Sequence, residues 1–154
     1  MIKQKMKKIF VASIVAGAIL SNSSSIWATT KHIKIPELGN GYTYIHDTRS
    51  KQYSYAVAGC ESVCPVGNTK DTFTKIRVKL FYKNSKGEYK RLSKNDTSDS
   101  AFDPAYDSYI LNEEDPNRKV YLRDDMMNVE NVYFGFSGNS VNYRAKAEVA
   151  YNAK

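Results

Sequence analysis

Residues 140–152 (SVNYRAKAEVAYN) place Val141, Tyr143, Ala145, Ala147, Val149 and Tyr151 at every second position, with Asn142, Arg144, Lys146, Glu148, Ala150 and Asn152 between them. A period of two sends successive side chains to opposite faces of an extended strand, one toward a core and one toward water. On a helix the same apolar set would scatter around the whole circumference. Ala and Lys favour helix, but periodicity outweighs propensity here. The segment predicts a half-buried strand, and a half-buried strand demands a sheet to pack against.

Other segments agree. Residues 131–136 (NVYFGF) are aromatic and β-rich, and Ser137, Gly138, Asn139 and Ser140 form a turn cluster, so 131–152 reads as a C-terminal hairpin. In residues 74–82, Thr74, Ile76, Val78, Leu80 and Tyr82 alternate with Lys75, Arg77, Lys79 and Phe81; a turn at 84–87 and a return strand at 88–93 make a second hairpin. Residues 52–58 predict a strand with Tyr53, Tyr55 and Val57 on one side, and 42–46, 109–111 and 119–123 predict shorter ones. With no amphipathic helix after the leader, about seven short strands point to an all-β chain, a small antiparallel β-sandwich or partly open barrel. Residues 94–118 are rich in Asp, Ser, Asn and Pro. Phe102, Tyr106, Tyr109 and Ile110 are expected to pin this long segment to the sheet.

The N-terminus has a different character. Lys3, Lys5, Lys7 and Lys8 precede a 12-residue apolar run (9–20) and then the small, polar stretch SNSSSIWA. That order is the layout of a secretory signal peptide. The run falls short of the about 20 residues a membrane-spanning helix needs. The expected organisation is a signal peptide at 1–28, cut after Ala28, and a single β-sandwich domain at 29–154. The product is expected to be secreted, released or loosely held at the cell surface, with no transmembrane segment.

Export changes what the charge means. The chain has 23 basic and 16 acidic residues, but four lysines lie in the leader, leaving 19 against 16, or +3. A nucleic-acid partner is therefore not expected, and no recognition motif accompanies the charge. Residues 29–95 hold 13 basic and 5 acidic side chains, whereas 96–125 hold 3 and 9. Two such blocks can neutralise each other in a fold.

Cys60 and Cys64 are the only cysteines. In an exported chain an isolated pair is expected to form a disulfide that stiffens its loop. Three intervening residues, and no helix, do not suit a redox pair. A metal site would need two more ligands, and His32 and His46 are the only histidines. His46 has Asp47 beside it, but neighbours on a strand face opposite ways, and no hydrolase elbow is present. Neither an enzyme nor a cofactor is expected. Asp96, Asp99, Asp103 and Asp107, with Glu113, Glu114 and Asp115, offer the hard oxygens Ca²⁺ takes. Their spacing fits no helix–loop–helix site, and solvated carboxylates facing the basic strand are the preferred reading.

The basic strand is the main candidate site. Lys75, Arg77 and Lys79 share one face, Phe81 continues it as an exposed aromatic, and Lys83 follows at the hairpin. Such a face suits an anionic envelope polymer, an acidic lipid surface or a protein partner. Its bland counterpart is a solvated face whose lysines protect a sheet edge. The expected function is non-enzymatic binding of an anionic envelope or host component, with a secreted antibacterial or membrane-active toxin as the alternative. Most of the 12 tyrosines are expected to fill core and edge positions.

Overall fold

The computed structural model describes residues 29–67, 74–113 and 117–154; the leader and its cleavage point, with Glu114 and Asp115, lie outside the described residues. Ten strands appear among these residues: β1 (Thr29–Ile35), β2 (Thr43–Thr48), β3 (Tyr55–Pro65), β4 (Lys75–Lys83), β5 (Tyr89–Arg91), β6 (Phe102–Asp103), β7 (Ser108–Asn112), β8 (Arg118–Tyr121), β9 (Asn131–Ser137) and β10 (Ala145–Asn152). They form two antiparallel sheets, ordered β1-β10-β3-β8 and β2-β9-β4-β7-β6, with β5 paired to β4. Neither sheet closes on itself. One apolar core draws on both: Ile35, Ala58, Val120, Ala147 and Val149 from the first, and Ile45, Val78, Leu80, Tyr109, Phe134 and Phe136 from the second.

The hairpin at β4 and β5 is as expected, with Phe81 paired to Arg91 and Lys83 to Tyr89. The C-terminal hairpin is not formed. β9 pairs with β2 and β4, whereas β10 pairs with β1 and β3, so the chain between them crosses from one sheet to the other. The alternating segment becomes strand only from Ala145, and Val141 stands 62 % exposed. In the strand expected at 52–58, Ala56 and Ala58 enter the core, Val57 is buried as well, and Tyr53 is exposed. β1 carries only Ile33 and Ile35 as buried apolar anchors and was not anticipated. Within 94–118, Phe102 and Tyr109 are buried as pins, while Tyr106 is exposed.

Cys60 and Cys64 form no disulfide, which corrects the sequence expectation. They lie on one continuous strand rather than in a turn. Four steps of strand at about 3.3 Å each separate their Cα atoms by roughly 13 Å, beyond the about 7 Å a disulfide tolerates. The strand also changes phase between them. β10 residue Val149 pairs with Cys60 and Glu148 with Ser62, so Glu61 is an extra, bulged residue. Cys60 therefore points into the core, Val63 takes the next inward place, and Cys64 faces solvent. The Val63 amide donates to the Glu113 carboxylate, which ties β3 to the end of β7.

Burial, with the charges of Glu113 and Glu61 nearby, pushes the Cys60 thiol up to about 12. Thiolate is the reactive form. Iodoacetamide at pH 8 is thus expected to add once, at Cys64, to the folded protein and twice after denaturation, as read by intact mass. Zero adducts on the native, unreduced chain, or two, would contradict this placement of β3.

The two charge blocks meet. Arg77 Nη1 lies 2.9 Å from Asp103 Oδ2, Arg91 pairs with Asp107, and Lys94 Nζ is 3.8 Å from Asp124 Oδ1. Lys51 holds Glu130 below its ordinary pKa, and Asn84 and Lys90 do the same for Glu88. At Asp103 burial acts against the carboxylate, and hydrogen bonds from Arg77 and nearby amides outweigh it, so its pKa is also lowered. Folded values below unfolded ones contribute stability that is complete above the ordinary carboxylate range, about pH 4, and is lost as pH falls through the folded values. Denaturant midpoints measured from pH 7 to 3 should stay level to about pH 5 and then decline. A midpoint that rises on acidification would contradict these pairings.

Candidate functional site

The outer face of the second sheet follows from strand register. Ile45, Leu80 and Phe134 turn inward, so their sequence neighbours Tyr44, His46, Lys79, Phe81, Tyr133 and Gly135 turn outward. Across the strands, His46, Tyr133, Phe81 and Arg91 make one row, and Tyr44, Gly135 and Lys79 the next. Gly135 is the gap that organises the face. A Cβ there would stand 2.4 Å from Phe81 Cε2, so the phenyl ring lies across the glycine. Aromatic rings close over it: Tyr42 and Tyr44 sit 5.0 and 5.3 Å from Phe81 between centroids, and Tyr44 stacks on Tyr89 at 3.7 Å. Tyr133 extends the plate, 5.2 Å from Tyr89 and 5.0 Å from His46.

Lysines rim this plate. Lys83 Nζ lies 4.9 Å from the Tyr89 ring centre and 5.2 Å from that of Tyr133, while Lys79 Nζ is 5.8 Å from Tyr42. These are cation–π distances. Among the described residues no carboxylate lies within ion-pair range of Lys75, Lys79 or Lys83. Burial, then the neighbouring Tyr42 and Tyr89 hydroxyls, raise the Tyr44 pKa, so its hydroxyl keeps its proton at neutral pH. The surface thus offers flat rings and fixed positive charge together.

The face differs from the expected one in two residues. Arg77 is buried against Asp103 rather than displayed, and Phe81 is 8 % exposed, the floor of the plate rather than an exposed aromatic. Lys75 and Lys83 are exposed, and Lys79 is partly so. Tyr42, Tyr44, Tyr89 and Tyr133 were missed, because alternation alone does not say which face of a strand turns outward or which strands lie side by side.

The other candidates are dispersed. His46 Nε2 is 2.9 Å from Asn131 Oδ1, whereas Asp47 turns the other way and accepts from the Ala153 amide at 2.8 Å. His32 lies on the first sheet, 3.9 Å from Glu148. Asp96 and Asp99 cap their own turns through the Ser98 and Ala101 amides, and Asp103 and Asp107 pair with arginines. Among the described residues, no three His, Cys, Asp or Glu side chains gather as a metal site. No helix among them is long and apolar enough to cross a membrane.

Compared with known proteins, no family model matches the chain, and no curated protein or solved structure matches it either.

Proposed function

We propose that the protein is an exported, non-enzymatic β-sandwich, cleaved after Ala28, that holds an anionic polymer of the cell envelope or host on the outer face of its second sheet. The observation that carries this reading is the pairing of Lys79 and Lys83 with a tyrosine plate while neither has a carboxylate partner among the described residues. Lysines set only to protect an edge have no need of a ring beneath them. Polymer charges would meet Lys75, Lys79 and Lys83, and apolar ring or chain surfaces would lie on Tyr44, Tyr89 and Tyr133. Such binding is salt-sensitive, because exposed charges are screened within about 10 Å at 0.1 M salt.

The test is pelleting of residues 29–154 with purified cell walls and with anionic vesicles, at low and high salt, beside a Lys79→Gln/Lys83→Gln variant. Arg77 and Phe81 are left intact so that the fold is not disturbed. Salt-sensitive wall binding, weakened about tenfold (near 1.4 kcal/mol) in the variant, is the expected result. Dye leakage from vesicles without wall binding would favour the membrane-active toxin. No pelleting with either material would reduce the lysines to a solvated rim.

A further inference from the structure

Beside the plate, Arg77 lines a notch of about 210 Å³ with Tyr42, Tyr106, Ser108, Ser137 and Gly41. Its side chain is only 7 % exposed. Nη1 is committed, 2.9 Å from Asp103 Oδ2 and 3.4 Å from Ser108 Oγ. Tyr106 covers one flat side of the guanidinium, with Cζ 4.3 Å from the ring centre. Nε has no acceptor, and Nη2 donates to none of the described residues. Arg49 and Arg91 also keep an unpaired Nε, but each employs both of its Nη groups. Arg77 alone of these three leaves both Nε and Nη2 without an acceptor among the described residues, beside a cavity.

We infer that this notch receives a carboxylate, so that the polymer bound by the face is a carboxylated one of uronate type. This rests on the reading of the face as a polyanion site and narrows its chemistry. The Nε–Nη2 edge presents two parallel N–H groups in one plane, which match the two oxygens of a carboxylate. A tetrahedral sulfate or phosphodiester can also offer two oxygens to that edge, but its remaining substituents stand out of the plane, on one side of which Tyr106 lies. Asp103 already balances part of the arginine charge, which disfavours a doubly charged phosphate and tolerates a single negative charge. The Ser137 hydroxyl, on a residue 4 % exposed, and that of Ser108 stand ready for further oxygens. The notch has the volume of about seven waters at about 30 Å³ each, room for one sugar acid rather than a whole chain. Tyr42 belongs to both notch and plate, so a residue seated on Arg77 continues directly onto Tyr44 and Lys79.

Calorimetric titration with oligogalacturonate and with linear polyphosphate of equal charge tests the inference. The proteins are wild type, Arg77→Lys, Ser137→Ala and Lys79→Gln/Lys83→Gln. Arg77→Lys keeps the charge beside Asp103 and removes the fork. It is expected to weaken oligogalacturonate about tenfold while leaving polyphosphate within about twofold, a difference near 1.4 kcal/mol. Ser137→Ala, which leaves the ion pair in place, should weaken oligogalacturonate alone, and the double lysine variant should weaken both ligands. If Arg77→Lys and Ser137→Ala bind both ligands as wild type does, or lose both equally, the notch is refuted and the face stands. If neither polyanion binds the wild type, the face and the notch fall together.

Discussion

Arg49→Ala is expected to lower the unfolding free energy by about 3 kcal/mol, because one side chain satisfies three backbone carbonyls at once. Arg49 is 3 % exposed. Its Nη1 donates to the Met127 and Val129 carbonyls at 2.9 and 3.0 Å, and its Nη2 donates to Tyr53. The fork thereby clamps the β2–β3 connection to the turn that precedes β9. Burial lowers the Arg49 pKa, but a guanidinium remains charged. Removing it strands acceptors that water reaches poorly, each costing about 1 kcal/mol or more. Arg49→Met separates donor from stem: it retains most of the packing and none of the N–H groups. About two thirds of the alanine loss should survive in Arg49→Met if hydrogen bonding dominates over stem burial. Urea denaturation of both variants measures this, and an Arg49→Met protein as stable as wild type would show that the clamp contributes only packing.

Gly135→Val should cost about 2–3 kcal/mol by overpacking, and the loss should depend on Phe81. Even an alanine Cβ would stand 2.4 Å from Phe81 Cε2, 2.9 Å from its Cδ2 and 3.3 Å from Tyr42 Cδ1. The phenyl ring would have to leave the glycine and lift the tyrosines resting on it. In a Phe81→Ala background the new side chain enters space already vacated. The double variant should therefore be more stable than the sum of the single losses by about 1 kcal/mol or more. Additive losses would mean that the glycine is required for its backbone rather than for the ring above it. Because the ring supports Tyr42 and Tyr44, Gly135→Val should also weaken polymer binding.

How much of this was readable in the chain depended on the range of the contacts involved. Alternation in 74–82 depends on neighbours one and two residues apart, and the β4–β5 hairpin followed from it. The strand at 145–152 was equally plain, but its partners were not. A turn cluster at 137–140 suggests a hairpin, and nothing local says that the chain crosses to another sheet there. The cysteines failed for a related reason. A bulge at Glu61 changes the facing of a strand, and Gly59 and Pro65 on either side of the pair read as loop residues, so cysteines four residues apart resembled a loop staple. At the site, the lysine face could be read from spacing, whereas the burial of Arg77 needed Asp103, 26 residues away. The tyrosine plate required four strands, β2, β9, β4 and β5, to be brought together in one sheet.

β10 lies between β1 and β3 in the first sheet, with β1 paired to it over seven residues from Thr29–Tyr151 to Ile35–Ala145. Synthesis delivers β1 first among the described strands and β10 last, so β1 has no neighbour to join until almost the whole chain has emerged. The first sheet cannot assemble progressively; β3 and β8 can pair early, but the joint to β1 waits for residue 152. Contacts this distant in sequence must meet their loop-closure entropy before any stabilisation arrives, which makes folding slow for the chain's size. Until then β1 and the open edge of β3 are unpaired strands exposed to other chains. Lys31, His32 and Lys34, exposed along β1 in the finished sheet, keep that waiting strand soluble and discourage it from joining a neighbouring molecule instead.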